Sequence, residues 1–252
     1  MSYFKFDGRN VYYTVEGEGF PLMLLHGNTT SSKLFENDIP FFAQYYKVIA
    51  FDWPGHGYSD KLDKFADDFW RYNAKSGLAL CEHLNINTIN LIGTSGGAIT
   101  ALNMATLNPD IAPKIIADSF FGNSVSLQDA EKITNFRQNA KKNDFLMQQY
   151  WKRFNGDYWE KMVDLDCENL LTIGKNQLPL IWGDLSTIKS DVLLVGTTTD
   201  DLIRDIDTKM AVMQEQIPNS QSAIYDYGRH TFMITEREEF RRIALNFLDT
   251  KL

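Results

Sequence analysis

The 252-residue chain is 44% hydrophobic and 13% aromatic, enough to bury a substantial core and unlike a disordered composition. Its net charge of −8 argues against nucleic acid or an anionic membrane as a partner, since both attract basic surfaces. The two cysteines, Cys81 and Cys167, are far apart without CxxC spacing and read as free thiols rather than as a disulfide or metal site.

In chain order, the start Met1–Asp7 has no basic stretch leading into an apolar run, so no signal peptide is expected and a cytoplasmic protein is the default. Tyr3–Phe6 and Val11–Glu16 read as paired strands turning around Asp7-Gly8-Arg9-Asn10. Gly17-Glu18-Gly19 breaks the chain before the apolar strand Pro21–Leu25, which runs into the sharp turn His26-Gly27-Asn28. A strand is expected at Lys47–Asp52, a helix at Phe69–Leu84, a strand at Thr88–Ile92 and a helix at Ala98–Leu107. Strands at Lys114–Ala117, Val192–Val195 and Ser222–Tyr225 complete the series. A last helix, Glu238–Leu248, opens on the capping-box pattern Thr235-x-x-Glu238.

One stretch breaks this alternation. From about Leu127 to Trp182 there are only helical patterns, with capping-type residues at Ser126, Asp144 and Asp157. The stretch is rich in aromatics, among them Phe136, Tyr150, Trp151, Phe154, Trp159 and Trp182, most of which read as its own core. Strands alternating with helices indicate a mostly parallel sheet covered on both faces. The expected organisation is therefore a core of residues 1–126 and 184–252 with a helical cap, 127–183, over the sheet's carboxyl edge. Apolar stretches such as Leu22–Leu25 are of strand length and too short to span a bilayer.

Chemistry concentrates at Gly93-Thr94-Ser95-Gly96-Gly97, a G-x-S-x-G pattern between a strand and an Ala-rich helix. In that context Ser95 is a candidate nucleophile on a sharp turn. Gly93 and Gly97 are needed where strand and helix approach, and the helix N-terminus aims N–H groups at developing negative charge. Asn28 and Gly96 are the candidate backbone donors of an oxyanion hole, and His26 is read as shaping that loop rather than as a base. Asp200, beyond Val192–Val195, and His230, beyond the last strand, complete a Ser, Asp, His order with each residue at a strand's carboxyl end. Asp201 is the alternative acid.

With Phe51-Asp52-Trp53-Pro54-Gly55-His56-Gly57-Tyr58-Ser59-Asp60, these residues make the chain resemble the α/β-hydrolase superfamily over essentially its whole length. The resemblance implies an eight-stranded, mostly parallel sheet, a cap inserted after the sixth strand, and a structural role for the Asp52–His56 loop. Many relatives place the acid where Thr199 stands, one residue before Asp200, and glycine where Arg229 stands. Arg229 either approaches the pocket or faces solvent. Gly96 either leaves room beside Ser95 or serves close packing. Relatives that dehalogenate or open epoxides use an aspartate at the elbow, so Ser95 implies acyl-type chemistry on a small ester or related compound. Carbon–carbon bond hydrolysis, for which Arg137, Lys152 and Arg153 are candidate carboxylate contacts, is the alternative, and a non-catalytic binding protein a third reading. No cofactor is implied, the expected partner is a small-molecule substrate, and monomer and homodimer are both open.

Overall fold

The computed structural model describes residues 1–249. Eight strands form one sheet in the order β1-β2-β4-β3-β5-β6-β7-β8. They are β1 (Ser2–Phe6), β2 (Arg9–Glu16), β3 (Pro21–Leu25), β4 (Lys47–Phe51), β5 (Asn90–Thr94), β6 (Lys114–Asp118), β7 (Asp191–Thr197) and β8 (Ser220–Tyr225). The β1–β2 and β2–β4 pairs are antiparallel, and all others are parallel. This is the α/β-hydrolase fold expected from the sequence.

The helices are α1 (Ile39–Phe42), α2 (Phe69–His83), α3 (Gly96–Leu107), α4 (Leu127–Asn143), α5 (Phe145–Asn155), α6 (Trp159–Asn176), α7 (Ile206–Gln216), α8 (Phe232–Thr235) and α9 (Arg237–Asp249), and those other than α4, α5 and α6 flank the sheet. Alternation along the strands feeds two cores. Met23 and Leu25 of β3 pack with α2 and α3, while Leu22 and Leu24 pack with α8 and α9. Because both faces are buried, the parallel strands read as continuous apolar runs rather than alternating ones. Among the described residues no helix is long and apolar enough to cross a membrane.

Between β6 and β7 the helices α4, α5 and α6 form the insert. Ser126 and Asp144 cap α4 and α5 by accepting from the N–H groups of Asp129 and Met147. Asp157 caps nothing, since α6 opens two residues later behind Tyr158. Trp151 stacks on Trp159 within a small cluster with Val163 and Cys167, so part of the aromatic content is the insert's own core. The main chain rejoins the sheet domain slightly before residue 184. Leu180 N and Ile181 N donate to the backbone and side-chain oxygens of Asn123, and Trp182 N donates to Asn103 Oδ1. Thr235 does not form a capping box, because its hydroxyl is held by the backbone of Arg229.

His26 lies buried against Trp53, with ring centroids 4.2 Å apart. Its Nδ1–H donates to Gly27 O at 2.8 Å and its Nε2 accepts from Trp53 N at 3.2 Å. A ring that must accept at Nε2 cannot carry a second proton, and burial pushes its pKa down to about 3. The folded state therefore refuses a proton that the unfolded chain takes up below about pH 6.5. Stability from this group is complete above that pH and is lost on acidification towards pH 3, by up to about 1.4 kcal/mol per pH unit. Ring nitrogen shifts are expected to show a neutral Nδ1–H imidazole at pH 5. A protonated ring there would contradict the assignment.

Candidate active site

Ser95 joins β5 to α3 with φ 55° and ψ −122°, a left-handed conformation that non-glycine residues enter only at a cost. The surroundings enforce it. Ser95 N donates to Asp118 O at 2.8 Å, and the helix begins at the next residue. A Cβ on Gly93 would stand 2.2 Å from Gly97 O, and one on Gly97 would stand 1.9 Å from Leu25 O. Both obstacles are backbone and cannot swing aside, so glycine at these two positions follows from the close strand–helix approach.

His230, on the loop after β8, points Nε2 at Ser95 Oγ, 3.1 Å away. Its Nδ1 lies 2.9 Å from Asp200 Oδ2, and the Asp200 side chain is fully buried. Asp200 Oδ1 accepts from Leu202 N and Ile203 N at 2.8 and 2.7 Å. Asp201 is exposed and accepts from the backbone N–H of His230 instead. Thr199, one residue before Asp200, closes the turn instead, its hydroxyl bonding with Thr197 Oγ1 and donating to Gly228 O.

The His26–Asn28 turn runs alongside Ser95, since a Cβ on Gly27 would stand 3.1 Å from Ser95 Cβ. Among the described residues the N–H groups of Asn28 and Gly96 have no acceptor, and Gly96 opens α3. No room is left beside Gly96, where a Cβ would stand 1.9 Å from Asn28 Oδ1.

A second buried carboxyl group, which sequence reading did not single out, sits behind the site. Asp118 ends β6, accepts from Thr94 Oγ1 and Ser119 Oγ at 2.7 and 2.8 Å, and accepts from Met233 N at 3.2 Å. It thus ties the elbow to the segment following His230. Burial pushes its pKa up to about 6. Its signal was its place at the carboxyl end of a strand, shared with Ser95 and Asp200.

Ser95 and His230 open onto a cavity of about 500 Å³ between sheet and insert, walled by Leu34, Ile133, Phe136, Met147 and Tyr150. Of the cations considered from sequence, only Arg137 lines it, and Asp166 pairs with that guanidinium. Arg153 pairs with Glu36 and Lys152 with Asp157, while Arg229 is exposed and outside the lining. No cluster of His, Cys, Asp or Glu suited to a metal occurs among the described residues.

Residues 21–155, over half of the chain and including the Ser95 elbow, match the family described as alpha/beta hydrolase fold. The chain belongs to that family. Among similar proteins, the (E)-2-((N-methylformamido)methylene)succinate hydrolase of Acinetobacter baylyi is 32% identical over 112 residues, 43% of this chain. The chain spans only 41% of that relative's length. The esterase EaEST of Exiguobacterium antarcticum superposes with a TM-score of 0.75 at 20% identity, covering 97% of both chains. A variant of the meta-cleavage product hydrolase of Pseudomonas fluorescens gives 0.74 at 18% identity over 96% of this chain and 95% of that one. At such identities the structural likeness establishes the α/β-hydrolase fold alone.

Proposed function

We propose that the protein is a serine hydrolase that cleaves a small ester or related acyl compound through an acyl-enzyme. The reading rests above all on one continuous chain of contacts, Ser95 Oγ to His230 Nε2 at 3.1 Å and His230 Nδ1 to Asp200 Oδ2 at 2.9 Å. His230 takes the hydroxyl proton as Ser95 Oγ attacks the acyl carbonyl. Negative charge on the carbonyl oxygen is received by the N–H groups of Asn28 and Gly96, reinforced by the start of α3. Collapse expels the alcohol, which takes the proton from His230. Water then gives a proton to His230 as it attacks the acyl carbon, and on collapse that proton passes to the departing Ser95 Oγ, releasing the acid and free Ser95. Asp200 keeps Nδ1 protonated and stabilises the imidazolium in both halves. None of these steps requires a metal or cofactor.

The mainly apolar cavity suits a small or medium substrate. Arg137 in its wall favours a second reading, carbon–carbon bond hydrolysis of a carboxylate-bearing substrate, but Asp166 already neutralises that charge. A panel of acyl esters of graded chain length, run beside vinylogous diketo acids, separates the two. Ester turnover with no diketo acid cleavage is expected, and the opposite pattern would transfer the assignment to carbon–carbon chemistry.

A further inference from the structure

Resting on that acyl-transfer reading, we infer that Asp166 of the helical insert is a positioning residue for the oxyanion hole. It acts through the side chain of Asn28, so that docking of the insert is a condition for a formed hole.

Asp166 lies on α6, its side chain 1% exposed, in an ion pair with Arg137 of α4. Its Oδ1 accepts from Asn28 Nδ2 at 2.5 Å. At the other end of the same amide, Trp70 Nε1 of α2 donates to Asn28 Oδ1 at 3.1 Å. An indole only donates and an arginine-paired carboxylate only accepts, so the amide fits in one orientation. Asn28 is therefore clamped between the sheet domain and the insert. The next residue repeats the pattern, since Thr29 has φ 61° and its carbonyl accepts from Asn155 Nδ2 of α5 at 2.7 Å. Asn155 is itself buried, and its Oδ1 accepts from Gly57 N. A left-handed threonine persists only where its surroundings over-determine it. Here two consecutive loop residues are held by the insert, and the first supplies the N–H proposed to bind the oxyanion.

The second proposed donor is referenced to the same side chain. Gly96 packs against the Asn28 amide and the Trp70 indole, where a Cβ would stand 1.9 and 2.7 Å from their nearest atoms. Both donors thus take their positions from one amide, whose far end is fixed by Asp166. The sequence separation of 138 residues hides this link from any local pattern.

The test compares p-nitrophenyl acetate with its thionoacetate, whose sulfur accepts hydrogen bonds poorly, in Asp166→Ala, Asp166→Asn and Trp70→Phe. In Asp166→Ala, kcat for the oxygen ester is expected to fall about 100-fold, the size of losing one oxyanion donor, with KM little changed. The thiono rate should hardly move, so the oxygen-to-sulfur rate ratio collapses. Asp166→Asn, which keeps an oxygen for Asn28 to donate to, should recover much of the ratio. Trp70→Phe, which leaves the buried ion pair intact, should lower the ratio about tenfold even if Asp166→Ala fails to fold. Parallel loss on both esters, or an unchanged ratio in Trp70→Phe, would overturn the inference. Hydrogen exchange gives a reading that needs no turnover: the peptide spanning His26–Ser31 should exchange faster in Asp166→Ala or Trp70→Phe while that of α3 does not. Unchanged exchange in both variants would also overturn it. Absence of ester turnover in the wild-type protein would instead strike at the acyl-transfer reading.

Discussion

Ser95→Ala is expected to lower kcat on any turned-over ester about a million-fold, His230→Ala by a similar factor, and the double variant no further. The reason is the 3.1 Å contact from Ser95 Oγ to His230 Nε2. Neither group performs its step without the other, so the second substitution removes something already lost. What survives is rate enhancement from the Asn28 and Gly96 N–H groups and from binding alone. Steady-state kinetics of the three variants decide the point. Losses that multiply in the double variant would show that the two side chains act independently.

Asp200→Asn is expected to cost about 10⁴-fold in kcat, whereas Asp201→Asn should stay close to wild type. The Asp200 side chain is fully buried, and its two backbone donors, Leu202 N and Ile203 N, fix Oδ1 so that Oδ2 faces His230 Nδ1. An amide there offers the imidazole an N–H in place of an acceptor and favours the wrong tautomer. Asp201 meets His230 through the backbone N–H at 3.2 Å, not through the ring, and is exposed at the cavity wall. A larger loss in Asp201→Asn than in Asp200→Asn would reverse the assignment.

Most of the fold was legible because parallel strands buried on two faces are apolar runs, ended by glycine or aspartate in β4, β6 and β7. β5 lies two residues later than its expected Thr88–Ile92, at Asn90–Thr94. Gly93 reads locally as a strand breaker, yet it continues the strand because Gly97 of the following helix presses against it. Likewise α3 begins at Gly96 rather than Ala98, since the turn at Ser95 outweighs the low helix propensity of two glycines. Capping residues located α4 and α5, but Asp157 and Thr235 carry the same chemistry without capping a helix, because tertiary partners decide which hydroxyl or carboxylate is used.

At the candidate site, Ser95, Asp200 and His230 were legible because each lies at the carboxyl end of a strand in the order Ser, Asp, His. Asn28 was legible as a residue of the turn after β3, but nothing local shows its side chain bridging Trp70 and Asp166. Asp118 was missed for a different reason. Its partners, Thr94, Ser119 and Met233, are neighbours only after β5, β6 and the His230 segment have come together.

Mass spectrometry of the folded wild-type protein after exposure to a fluorophosphonate tests the central claim most directly. Covalent capture requires an activated hydroxyl beside donors that stabilise the phosphoryl oxygen. A single adduct on the peptide carrying Ser95, absent in Ser95→Ala and formed far more slowly in His230→Ala, is the expected result. No adduct, or an adduct on another residue that persists in Ser95→Ala, would contradict it.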